Sequence, residues 1–213
     1  GVLVYVFMNL SLFHSSIIAP IILGSQLAIP FGILASAFLL NENISKNKWI
    51  LIFTSFLGIV IIFFDPKLTE NYLGLFFASL MALFFGLAQV YSRQLKDLPI
   101  SMINASTGIF GFIILIIISV FIEGNIQENI VQINLESWIL ISYQAVIVSL
   151  CAHLLMFYLY KFYTVGKIFP FYSLFPIFGI ILTYLVFSEV PTILFILGGI
   201  IVISSVFFLH KIK

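Results

Sequence analysis

Polar side chains are so scarce in this sequence that each one inside an apolar run is a candidate for chemistry. Asn9, Ser25, Gln26, Gln89, Asn104, Gln144, His153, Tyr172 and Ser173 all stand among long stretches of aliphatic and aromatic residues. All but the histidine are neutral hydrogen-bonding groups, suited to holding a polar or zwitterionic solute. Pro30 and Pro176 accompany them. A proline inside a helix has no N–H to give, so it leaves a backbone carbonyl free as a further acceptor. His153 adds a different capacity, because an imidazole changes charge in the near-neutral range and can carry a proton. The plainer role for each of these groups is an interhelical hydrogen bond, worth about 0.6 kcal/mol on average.

Other chemistries find no support. There is no HExxH or CxxC spacing and no phosphate-cradling glycine loop. The three histidines, His14, His153 and His210, are dispersed along the chain, and no acidic residue falls in the middle third of an apolar segment. An enzyme needs a nucleophile–base pair, paired carboxylates or a metal cluster within mutual reach, so an enzyme, a metal site and a cofactor are not expected. Cys151 has no partner for an internal disulfide and reads as a small apolar residue. A net charge of +1 gives no reason to expect nucleic acid.

The elements that position these groups follow from composition. The chain is 62% hydrophobic and 8% charged, with a mean hydropathy of +1.25, against roughly 45–50% apolar and 25% charged residues in soluble domains. Its solvent must be lipid. A bilayer core takes about 20 apolar residues per helical span, and eight segments qualify: roughly 2–14, 16–40, 48–64, 71–92, 101–122, 137–160, 165–187 and 191–209. Runs such as FIILIIISVFI (112–122) show no two-residue alternation, which excludes a membrane β-barrel. The expected fold is an all-α integral membrane protein, a polytopic bundle of about eight transmembrane helices.

If the eight segments cross in turn, Lys46, Lys48, Arg93, Lys96, Lys161, Lys167, Lys211 and Lys213 fall on one side and only Lys67 on the other. The positive-inside rule then puts the C-terminus in the cytoplasm. Trp49 and Trp138 stand at helix starts as interfacial anchors, and the run FYLYKFY (157–163) reads as an aromatic belt. Lys161 and Lys167 can snorkel to the same interface.

Two stretches match. Residues 31–43 read FGILASAFLLNEN and residues 178–190 read FGIILTYLVFSEV. Gly32 and Glu42 answer to Gly179 and Glu189 with the same ten-residue spacing, and a proline, Pro30 or Pro176, precedes each. Sixteen residues beyond the glutamates stand Gly58 and Ser205; nine beyond stand Leu51 and Gly198. Small residues of this kind let membrane helices approach closely. Each glutamate marks a helix leaving the bilayer, since a carboxylate at mid-membrane costs about 2.5–3.5 kcal/mol on insertion scales. The copies are 147 positions apart, with five spans in the second (67–213) and three in the first (1–66). An odd number of spans per copy forces opposite threading, the inverted-topology duplication of secondary transporters.

These residues resemble the EamA branch of the drug/metabolite transporter superfamily, whose halves each carry a proline-containing helix, an acidic residue at its end and a following helix with spaced glycines. The corresponding positions are Pro30, Gly32, Glu42 and Gly58, then Pro176, Gly179, Glu189 and Gly198. Leu51, Ser205 and Asn43 depart from the pattern. The resemblance implies ten helices in two five-helix repeats, so that the present chain lacks the first two, roughly 65–70 residues by repeat geometry; the start at Gly1, without a methionine, fits that expectation. It also implies a small-solute carrier of the bacterial inner membrane, working by alternating access. SSIIAPIILGSQLAIPFGIL and VGKIFPFYSLFPIFGI are most similar to exporters of amino acids and related metabolites, with uptake or exchange of a solute such as S-adenosylmethionine, or a non-transport structural role, as alternatives. The partners expected are a small-molecule substrate and the lipid bilayer, with a homodimer also allowed.

Overall fold

The computed structural model describes residues 1–40, 44–95, 97–123, 131, 133–163, 175–188 and 190–209. Among them the regular elements are helical: α1 (Val2–Phe13), α2 (Ala19–Ser25), α3 (Ala28–Leu40), α4 (Lys46–Phe63), a 3-10 turn (Pro66–Asn71), α5 (Tyr72–Gln94), α6 (Ile100–Glu123), α7 (Leu135–Tyr143), a π-helical segment (Gln144–Ala152), α8 (His153–Phe162), α9 (Phe175–Phe187) and α10 (Ile193–Leu209). Five described stretches are long and apolar enough to cross a membrane: Ala19–Leu40, Lys46–Phe63, Tyr72–Gln94, Ile100–Phe121 and Leu135–Leu159. Three shorter apolar helices, Val2–Phe13, Phe175–Phe187 and Ile193–Leu209, complete the set of eight segments predicted from hydropathy. The protein is an all-α integral membrane helix bundle.

Polar residues at helix starts satisfy amides that have no intrahelical partner. The Ser45 side chain accepts from the Lys48 amide at the head of α4, and Asn134 accepts from the Ser137 amide at the head of α7, at 2.8 Å. Thr192 caps α10 by accepting from the Phe195 amide at 3.1 Å. At the other end of α9, Ser188 takes the left-handed backbone conformation (φ 56°), and its N–H donates to the Tyr184 carbonyl at 3.0 Å. That geometry closes a helix and favours glycine.

The described residues pack as two compact units. The larger holds residues 3–91 and the C-terminal segment from 164 onward. Within it α5 turns one face inward, with Gly74, Leu75, Ala78, Met81, Ala82, Gly86, Gln89 and Val90 buried at helical spacing. Phe7 of α1 stacks on Phe84 of α5 at 5.5 Å between ring centres, and the Ser11 hydroxyl donates to the Gly74 carbonyl at 2.8 Å. Ala28, Leu27, Ile59, Ile62, Ala82, Phe195 and Val202 join α3, α4, α5 and α10 in one apolar core.

α4 and α10 run antiparallel. The Gly58 carbonyl lies 2.5 Å from where a Gly198 Cβ would stand, and the Gly198 carbonyl 2.8 Å from a Gly58 Cβ. One end of the pair is then closed by Thr192, at the start of α10, whose hydroxyl donates to the Asp65 carboxylate just past the end of α4. Going from Gly58 to Asp65 advances along α4 while the partner residue goes back along α10 from Gly198 to Thr192, which sets the two directions. Spacing from the glutamates makes Gly58 and Ser205 equivalent positions; the spatial neighbour of Gly58 is Gly198, because contact depends on where two helices cross and not on register within each copy.

The connections at 15–20, 65–71 and 190–192 gather at one end of this unit. Asn71 Oδ1 accepts from the Ser16 amide at 2.7 Å and from the Ser15 hydroxyl at 3.0 Å. Ile17, Pro20, Asp65, Lys67, Pro191 and Thr192 line one cleft.

The smaller unit contains residues 92–163. α6 packs on α8; Ile103 on α6 and Met156 and Phe157 on α8 are buried. Only 6% of the Ile100–Phe121 span and 6% of the Leu135–Leu159 span is buried, against 61% for Ala19–Leu40. Ala19–Leu40 is therefore the span enclosed by protein, and the other two present apolar side chains such as Phe110, Phe112, Ile139 and Leu140 outward, as lipid requires.

Candidate solute pathway

The enclosed span is also the broken one. Pro30 has no N–H to give to the Gln26 carbonyl four residues earlier, and the helix yields at that point. α2 stops at Ser25 and α3 begins at Ala28. Across the gap the bonds tighten to three-residue spacing: Gln26 N–H to the Leu23 carbonyl at 3.0 Å, Leu27 N–H to Gly24 at 3.1 Å, and Ile29 N–H to Gln26 at 3.1 Å. Ser25 turns its hydroxyl back onto the Ile22 carbonyl at 2.7 Å. Gln26 is only 3% exposed, and its Oε1 has no hydrogen-bond partner among the described residues. Leaving such an acceptor unmet costs about 1–3 kcal/mol, so the bend carries an interior acceptor with capacity to spare.

α5 faces this bend. A Cβ at Gly86 would lie 2.7 Å from both the Ala28 carbonyl and the Gly32 amide, so α3 and α5 touch backbone to backbone. Gln89, 2% exposed, follows one turn later on the same buried face. α9 approaches α2 through Gly179, whose absent Cβ would meet Ile22 at 2.9 Å, and Pro176 is fully buried beside it in the same helix. The structure thus sets Gly32 against Gly86 of α5 and Gly179 of α9 against Ile22 of α2, while Ser25, Gln26 and Pro30 share the break and Gln89 is buried one turn beyond Gly86 on α5. Tyr172, Ser173, Glu42 and Glu189 lie outside the described residues. Asn9 is exposed on α1.

The remaining candidates belong to the smaller unit. Asn104 is half-buried on α6, and Gln144 is exposed at the start of the π-helical segment. His153 follows that segment directly, half-buried, with Nδ1 3.1 Å from the Ser149 carbonyl. A carbonyl only accepts, so this is a hydrogen bond in the tautomer protonated on Nδ1, which leaves Nε2 as an acceptor. The widened π ladder is a feature that often marks a functional region, and nothing in the run QAVIVSLCA announces it.

Two polar residues escaped the sequence reading. Asp65 is 2% exposed, with Oδ1 accepting from the Lys67 amide at 3.0 Å and Oδ2 from the Thr192 hydroxyl. Asn71, 4% exposed, ties the 15–16 connection as described. The Asp-Pro dipeptide at 65–66 was a readable turn signal, but nothing in it told of burial.

An apolar bundle whose enclosed span is broken at a buried amide, with small residues holding its helices at backbone contact, defines a multi-span membrane protein with a polar point in its interior. Comparison with known proteins makes this specific. Residues 72–210 match the EamA-like transporter family, and the chain belongs to that family: it is a membrane transporter of small molecules, of a family that is not enzymatic. No match was found among curated proteins.

Proposed function

We propose that the protein is a secondary carrier of the bacterial inner membrane that moves a small polar metabolite, most simply an amino acid or a related compound outward, by alternating access, with its C-terminus in the cytoplasm. The observation that carries this reading is the buried Gln26 Oε1 at the Pro30 break, which has no hydrogen-bond partner among the described residues. A buried acceptor inside the most enclosed span is costly unless something brings it a donor, and a polar solute with N–H or O–H groups does so. The antiparallel crossing of α4 and α10 supports two oppositely threaded repeats, 1–66 and 67–213, with Gly58 and Gly198 at their contact. Such repeats rock against each other around a shared site. Ser25, Gln26 and Pro30 then line the first repeat's share of the pathway, and Gln89 on α5, Tyr172, Ser173 and Pro176 that of the second. Asn9 is a further pathway position, and Asn104, Gln144 and His153 are candidate solute-contacting groups of the smaller unit.

Flux into proteoliposomes tests this. A panel of labelled amino acids, with and without a pH gradient, is expected to show saturable movement that Gln26→Ala lowers without lowering membrane abundance. Absence of movement for every solute, or equal flux in Gln26→Ala, would remove the reading. Uptake or exchange is the second reading, and the sign of flux against an imposed solute gradient separates the two.

A further inference from the structure

The cleft where the three connections meet contains a carboxylate that the carrier reading does not use. Asp65 lines it together with Lys67, Thr192 and the apolar side chains of Ile17, Pro20, Ile180 and Phe195. Burying a carboxylate is expensive unless it is hydrogen-bonded and paired with a cation. Asp65 meets the first condition through the Lys67 amide and the Thr192 hydroxyl. It does not meet the second, because among the described residues no cationic side chain forms an ion pair with it; Lys67, the charged side chain that shares the cleft, is exposed. Each carboxylate oxygen can accept twice, so both retain room for a donor.

We infer that this cleft is a binding site for a protonated primary amine carrying an apolar substituent, with the ammonium on Asp65 and the substituent against Ile17, Pro20, Ile180 and Phe195. The fixed acceptor needs no reorganisation, since the Lys67 amide and Thr192 already hold its orientation. The apolar walls reward a branched aliphatic group and not a small inorganic cation. The inference rests on the carrier reading only in assigning the amine as solute, at the mouth of the pathway where the connections 15–20, 65–71 and 190–192 lie together; the site itself stands or falls separately.

The test is equilibrium binding by calorimetry on the full chain in detergent, with two probes of the same shape, 3-methylbutylamine and 3-methylbutan-1-ol. The amine is expected to bind at least about tenfold tighter than the alcohol, as one charge-assisted hydrogen bond warrants. Asp65→Asn is expected to abolish that preference. Ile180→Trp, which fills the apolar wall and leaves the carboxylate untouched, is expected to weaken the amine about tenfold as well. Equal binding of amine and alcohol, or a preference that survives Asp65→Asn, overturns the proposal. If Asp65→Asn does not fold, undiminished amine binding in Ile180→Trp overturns it alone. This measurement has no flux readout, so a cleft that binds the amine stands even if the proteoliposome panel shows no transport, and transport in that panel stands even if the cleft is indifferent to the amine.

Discussion

Gly58 and Gly198 meet reciprocally: each presents its carbonyl oxygen to the place where the other's Cβ would be, at 2.8 and 2.5 Å. One turn on, the same reciprocity repeats, with Val202 against Gly58 and Ile62 against Gly198. A contact in which residue i meets j and i+4 meets j while j+4 meets i has local two-fold symmetry, as two antiparallel helices packed through small residues give.

Alanine at either glycine must push backbone apart. Gly58→Ala or Gly198→Ala is expected to destabilise the protein by about 1–3 kcal/mol, the usual cost of overpacking, read as a lower midpoint of thermal unfolding in detergent. Gly108→Ala and Gly111→Ala are the controls, since no atom lies within 4 Å of a Cβ at either site. There the gain in helix propensity, about 1 kcal/mol, should appear as unchanged or raised stability.

Thr192→Val removes both the cap of α10 and one of the two donors to buried Asp65. A loss of about 1–3 kcal/mol is expected, and Thr192→Ser, which keeps the hydroxyl, should restore most of it in the same unfolding assay.

Gln26→Leu should separate stability from transport. Removing a buried acceptor that no described residue meets is expected to raise stability by about 1 kcal/mol, while solute flux falls. Lower stability together with unchanged flux would show that Gln26 serves packing alone.

Pro30→Ala returns an N–H to the position four residues after the Gln26 carbonyl, so the break between α2 and α3 should close into a continuous helix. The expected outcome is greater thermal stability with reduced transport, because a straight helix removes the break, now closed by the Ile29 N–H to Gln26 carbonyl bond, that holds the Gln26 side chain in place.

Ser188 pays for its left-handed backbone with a side chain. Ser188→Gly is expected to stabilise the end of α9 by about 0.5–1 kcal/mol, measured by the same thermal unfolding.

The spans could be read from hydropathy alone, because lipid demands long apolar runs whatever the fold, and all eight predicted segments have helical counterparts. The bend near Gln26 was legible too: Pro30 acts on its own helix, and a local covalent constraint needs no tertiary information. Gly58 and Gly198 were visible in the sequence as small residues that let helices approach, and Gly32 and Gly179 as markers of the repeat, but their spatial partners were not. Gly32 touches Gly86, and Gly58 meets Gly198, because crossing points depend on the angle and offset of whole helices.

Asp65 shows the same limit most plainly. In the sequence it resembles Asp97, another aspartate in a short polar connection, and Asp97 is indeed exposed. What separates them is a hydroxyl 127 residues away, Thr192, brought alongside when α4 and α10 pack antiparallel. Composition and periodicity settled the solvent, the helices and the kind of protein, since those follow from averages over many residues and from constraints within one turn of chain. Burial of a single carboxylate or amide is set by what the rest of the chain places against it, and that only the packed helices could decide.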